Sequence, residues 1–116
     1  MSKLTTFQQL QELGEGKYFC QEKGFLNWLR SFLYVSGWIG ITNKGDYFDV
    51  LLCSNKEYHQ RLNGPAYAAS FHKDGTVQDV YQSAITMWPV RDAKEKRAVI
   101  FFLKKKINQA YNRQFS

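Results

Sequence analysis

Asp92–Arg113 reads DAKEKRAVIFFLKKKINQAYNR, and its period decides how the chain folds. It lacks Gly and Pro, and Asp92 with Glu95 three residues on forms a capping-box start, so the spacing predicts a helix over 92–113. Placed at 100° per residue, Val99, Ile100, Leu103, Ile107, Ala110 and Tyr111 fall within one arc roughly 120° wide. That arc is the expected buried stripe. Lys94, Arg97, Lys104 and Lys105 fall on the far side, with Phe101 among them.

Charge singles out the same stretch. From Arg91 to Arg113, eight cations (Arg91, Lys94, Lys96, Arg97, Lys104, Lys105, Lys106 and Arg113) stand against Asp92 and Glu95, a net +6 that equals the net charge of the whole chain. Everything before Arg91 therefore sums to zero. One helix carries the entire excess, and the pI near 9.4 favours polyanionic or acidic partners.

A chain of 116 residues, 44% hydrophobic and 22% charged, fits one globular domain spanning 1–116. Aromatic content of 16% exceeds what a core of this size needs, so some rings are expected at the surface. Met1–Thr6 lacks the pattern of a secretory signal, and no apolar run reaches the length of a membrane span. With Cys20 and Cys53 its only cysteines, the chain is expected to be cytoplasmic with both thiols reduced and no membrane partner.

Outward from the helix, the remaining pattern predicts an α+β fold. Thr5 or Thr6 caps a first short helix with Phe7, Leu10 and Leu13 on one face, ended by Gly14 and Gly16. Lys17 to Lys23 stays open between a loop and a short strand. Phe25, Leu29, Phe32 and Leu33 then recur at helical spacing in a second helix, closed by Ser36-Gly37. From Trp38 the period changes to two. Trp38–Thr42, a turn at Asn43-Lys44-Gly45 and Asp46–Cys53 read as a hairpin with Phe48, Val50 and Leu52 on the core face; Tyr47, Asp49 and Leu51 take the other. A helical turn across Lys56–Leu62 is broken by Asn63-Gly64-Pro65. A second hairpin pairs Ala66–His72 with Thr76–Gln82, and its Asp74-Gly75 turn signal calls for positive φ at both central residues. Ser83–Trp88 extends that strand or forms a fifth, and Pro89 stops it. The expected architecture is an antiparallel four- to five-stranded meander packed against helices, in the order α-α-β-β-β-β-α.

His59-Gln60-Arg61-Leu62-Asn63-Gly64-Pro65-Ala66-Tyr67, running into Phe71-His72-Lys73-Asp74-Gly75-Thr76, resembles one unit of the MORN-like hairpin repeats. That family carries an H-R-x-D-G-P-A start and a D-G-S/T turn. The resemblance covers about a fifth of the chain, occurs once where such repeats need neighbours, and implies a hairpin there. The helix–sheet–helix order is also similar to that of double-stranded RNA-binding domains, which place their basic cluster at the helix start. Here Lys104-Lys105-Lys106 lies mid-helix, so that function is not carried over.

Enzymatic chemistry finds little support. Cys20, Cys53, His59 and His72 are scattered without the paired spacings a zinc site needs, and no spacing joins a thiol to an imidazole as nucleophile and base. Asp46 and Asp49, three apart on one expected strand, point to opposite faces. No glycine-rich phosphate loop occurs. The expectation is a non-enzymatic binding module with no cofactor and no metal.

Two partner classes follow. In the first, nucleic acid, single-stranded or structured, binds with its phosphates on Lys94, Arg97, Lys104, Lys105 and Lys106 and its bases stacked on Trp38 and Tyr47. In the second, the module is a protein-binding inhibitor or accessory factor, of the compact kind that phages and mobile elements encode for tasks such as counter-defence. It docks the basic helix and Phe101 on an acidic protein surface.

Overall fold

The computed structural model describes residues 4–20, 37–53, 66–83 and 87–115. The expected helix around Phe25–Val35 and the helical turn at Lys56–Leu62 lie outside the described residues.

Helix α1 (Thr6–Leu13) starts where the sequence places it. The Thr5 hydroxyl accepts from the Gln8 N–H at 3.1 Å, and the Gln8 side chain accepts from the Thr5 N–H at 2.8 Å. Two amides that a helix start leaves unpaired are thereby satisfied. Gly14, at φ +81°, ends the helix and donates to the Leu10 carbonyl at 2.9 Å. Leu10 and Leu13 are buried, and the Phe7 ring packs on Phe48 at 5.2 Å between centroids.

Among the described residues six strands form one antiparallel sheet in sequential order: β1 (Gly16–Cys20), β2 (Gly37–Asn43), β3 (Tyr47–Cys53), β4 (Ala66–His72), β5 (Val77–Ser83) and β6 (Met87–Pro89). The expected α+β meander stands, and the described parts of both stretches left open at its ends are strands. Lys17–Cys20 belongs to β1, paired with β2 from Gly16↔Ile41 to Cys20↔Gly37, and Met87–Pro89 pairs with β5.

Register follows the period-two pattern. Ile41 pairs with Val50 and Val50 with Ala69, so Ile39, Ile41, Phe48, Val50, Leu52, Tyr67, Ala69 and Phe71 share one buried face. Asp46, expected on the strand with Asp49, lies in the turn before β3, where its carbonyl accepts from the Lys73 N–H at 3.0 Å.

Two turns show how local chemistry sets pairing. At the β4–β5 hairpin, the His72 N–H donates to the Thr76 carbonyl and the Gly75 N–H to the His72 carbonyl, leaving Lys73, Asp74 and Gly75 as a three-residue loop. Only Gly75 (φ +93°) takes positive φ there, so the Asp-Gly signal finds the hairpin but not the two-residue turn with positive φ at both centres. Asp74 is committed elsewhere: its Oδ1 accepts from both the N–H and the hydroxyl of Thr76, which holds its carboxyl below the usual carboxylate range.

Farther along β5 the register shifts between Ala68↔Tyr81 and Ser70↔Gln78, leaving an extra residue on β5. Asp79 adopts φ +53° at that bulge, a conformation costing an L residue about 1–2 kcal/mol, less for Asp, whose short polar side chain bonds locally. The bulge turns Asp79 outward and returns Val80 to the core.

Helix α2 (Ala93–Phe115) runs two residues beyond the expected end. Asp92 caps it, its carboxylate accepting from the Glu95 N–H at 3.0 Å and its carbonyl from the Lys96 N–H at 2.9 Å. Val99, Leu103, Ile107 and Ala110 are buried as the period predicts, and Ile100 and Tyr111 pack half-buried at the margin. Both helices cover the core face of the sheet. Phe102 meets Tyr67 edge-on at 5.5 Å, Gln9 donates to Asn108 at 2.9 Å, and the Tyr111 hydroxyl donates to Glu12 at 2.7 Å. No described helix is long and apolar enough to cross a membrane.

Leu103→Ala and Ile107→Ala are each expected to cost about 2–5 kcal/mol, because both side chains are fully buried in the seam between α2 and the sheet. Phe101→Ala, on the opposite side of the same helix, is expected to cost under about 1 kcal/mol. Chemical denaturation of the three variants checks the ordering, and a larger loss at Phe101 would overturn this helical phase.

Candidate functional site

The expected site residues divide between two surfaces on opposite sides of the domain. Helix α2 lays its apolar stripe on the core face, so the opposite side of the helix faces solvent. Lys94, Arg97, Lys104 and Lys105 are exposed there. At their centre the Phe101 ring is 72% exposed, with Arg97 four residues before it and Lys104 and Lys105 three and four after. Residues at these spacings are surface neighbours about 5–6 Å apart at Cβ, so the cations ring the aromatic side chain.

Lys106 does not belong to this surface. It is fully buried, against the expectation that it contacts phosphate. Its Nζ lies 3.3 Å from the Gln109 side-chain oxygen and 5.5 Å from the centre of the Phe102 ring. The physical reason is β1. Lys106 flanks the apolar arc, and the strand lies along that flank, with the Cys20 thiol donating to the Lys106 carbonyl at 3.3 Å. One helical repeat further, the Arg113 guanidinium sits 5.4 Å from the centre of the Phe19 ring, on the same strand. The buried arc is thus wider than the apolar residues mark, because a lysine stem fills part of it.

Trp38 and Tyr47 share the sheet face away from the helices, as their phase predicts. Trp38 meets Phe19 edge-on at 5.2 Å, and Tyr47 stacks on His72 at 4.8 Å. They are not neighbours. Trp38 pairs with Cys53, six residues along β3 from Tyr47, which puts them about 20 Å apart. Both lie on the sheet face that α2 does not cover, yet contacts link that face to the helix cations: Arg113 sits at the Phe19 ring that Trp38 meets, and Lys104 lines the same recess as His72, on which Tyr47 stacks.

Beside Tyr47 this sheet face holds an open hollow of about 570 Å³, lined in part by Asp49, Ser70, Asp79 and Tyr81. The Ser70 hydroxyl donates to Asp49 at 2.7 Å. Asp49 was legible on this face from its alternation with Phe48 and Val50. Asp79 was not, because strict alternation from Val77 puts it in the core, and only the bulge brings it round.

Cys20 and His72 occupy opposite faces of the sheet, Cys20 in the core and His72 beside Tyr47. Burial pushes the Cys20 thiol up to about 12 from an ordinary 9.0, partly offset by the positive charges of Lys106 and Arg113. A thiol so placed is a core residue and a poor nucleophile. His59 lies outside the described residues, and among the described residues no group of three or more His, Cys, Asp or Glu side chains is placed to hold a metal.

No protein-family model, curated protein or solved structure matches the chain, so its functional reading rests on the geometry of these surfaces.

Two measurements check this geometry. Lys106→Glu is expected to destabilise the fold by about 3–5 kcal/mol, because it puts an acid where a lysine is buried, whereas Lys104→Glu stays within about 0.5 kcal/mol. Equal melting temperatures for the two would put Lys106 back on the surface. For Cys20, peptide mapping after iodoacetamide treatment at about pH 8 is expected to find its thiolate depleted roughly a thousandfold in the native chain relative to the chain in guanidinium, the three-unit gap between 9.0 and about 12. Since the folded chain holds this proton more tightly, the associated stability is complete below pH 9 and declines as pH rises from there toward about 12.

Proposed function

We propose that the chain is a non-enzymatic protein-binding module that docks the exposed face of α2 on an acidic surface of a partner protein, with Phe101 as the anchor. The observation that carries this reading is the 72% exposure of Phe101 at the centre of Lys94, Arg97, Lys104 and Lys105. An aromatic side chain in water forgoes the roughly 1.5–3 kcal/mol its burial would supply. A surface that only tracks phosphates has no use for it, whereas interface hot spots combine a large ring that enters a pocket with charges that exclude water at its rim. The four cations add steering toward an acidic patch and speed the encounter.

Nucleic-acid binding through α2 alone is the second reading, favoured by the concentration of the chain's net charge on this helix. Trp38 and Tyr47 belong to the other sheet face, so Phe101 is the exposed ring that this surface offers for stacking. This reading loses one cation to the core, because Lys106 is buried.

The two readings separate by salt and by Phe101. Partner capture from nuclease-treated lysate, followed by affinity measurement on the captured protein, is expected to show Phe101→Ala weakening binding by about 2 kcal/mol or more, near thirtyfold, at unchanged melting temperature. Anisotropy titration against labelled single-stranded and duplex oligonucleotides is the counter-test. A plot of log K against log salt with a slope of about −3 to −4 on duplex, matching engagement of the four exposed cations, together with indifference to Phe101→Ala, would replace the docking reading with the nucleic-acid one.

A further inference from the structure

The concavity on the sheet face opposite the helices is a second site, built independently of α2. Two adjacent rungs of the sheet form it. One runs Gly40↔Leu51↔Ala68↔Tyr81, where Gly40 brings no side chain and Ala68 only a methyl, so the surface dips between Leu51 and Tyr81. The next runs Thr42↔Asp49↔Ser70, and it is polar throughout. Tyr47 and Tyr81 stand as half-buried walls, and the open hollow of about 570 Å³ falls within the size range of small-molecule sites.

Among the described residues of the lining, Asp49 and Asp79 are the charged ones; Lys17, paired with Gly40, stands on the same face at the rim. Ser70, only 4% exposed, donates its hydroxyl to Asp49 at 2.7 Å and so fixes the orientation of that carboxylate. Asp79 enters from the other side, carried outward by the β5 bulge at φ +53°. Bulges commonly re-aim one side chain toward a site. The bulge here brings a second acid to a face that already holds one, two strands away.

We propose that this concavity binds a small organic cation, an amine or guanidinium on an apolar body. The cationic head lies between Asp49 and Asp79, and the body rests on Leu51 and Ala68 between the two tyrosines. Aromatic faces attract cations as well as apolar groups, so the walls favour the same ligand as the acids. Anions are turned away by both carboxylates, which separates this site from anything α2 binds.

The test is a 1H–15N NMR titration of the full chain with phenethylamine, with phenethyl alcohol as the neutral counterpart of the same shape. Millimolar phenethylamine is expected to move the amides of Gly40, Asp49, Ser70, Asp79 and Tyr81 and to leave those of α2 in place. Asp79→Asn should weaken binding about tenfold or more. That variant keeps the fold, because Asp79 is exposed and asparagine also tolerates positive φ. Ala68→Leu, which fills the floor without touching charge, should abolish binding. The proposal is overturned if the amine leaves these amides unmoved, if the alcohol binds as tightly as the amine, or if Asp79→Asn binds as well as the parent chain.

Discussion

Leu103 and Ile107 of α2 are completely excluded from water, in one cluster with Ile39 and Val50 of the sheet and Leu10 of α1. Each such side chain contributes about 1.5–3 kcal/mol on leaving water. Everything functional depends on this seam, because it decides which way each remaining face points. Once the helix stripe and the period-two stripe of the sheet are buried against one another, Lys94, Arg97, Phe101, Lys104 and Lys105 must face solvent on one side. Trp38, Tyr47, Asp49 and Asp79 are left on the other. The basic helix face and the two sheet carboxylates are kept apart for a packing reason.

On the two proposals above, the surfaces take partners of opposite charge. The helix side presents cations about a ring, and the concave side presents acids between rings. Net charge alone, at +6, describes only the helix side. The acids on the sheet are invisible in that number, since the chain before Arg91 is neutral as a whole.

Lys106 illustrates how an edge strand changes the meaning of a sequence motif. Lys104-Lys105-Lys106 looks like a uniform basic run, yet two of its members face water and one is interior. The difference is about 100° of helical rotation per residue and the presence of β1 beside the flank. Burial of the lysine stem against β1 and Phe102 extends the seam, and it ties the last turns of α2 to the first strand. Cys20 is buried in the same contact, and that burial holds its thiol neutral despite the nearby Lys106 charge.

The sequence by itself determined whatever depends on local period and local chemistry. The start of α1 at Thr5 or Thr6, the Asp92 cap, the phases of α2 and β3, and both hairpins follow from side-chain spacing and turn residues, which act within a few positions along the chain. The exposure of Phe101 was legible for the same reason. Tertiary structure decided what depends on a distant neighbour. Lys106 is buried only because β1 lies beside it. Trp38 and Tyr47 share a face but stand apart, because strand register sets distance as well as side. Asp79 joins Asp49 only because pairing with β4 accommodates an extra residue in β5, a property of two strands together that no alternation within one strand can reveal.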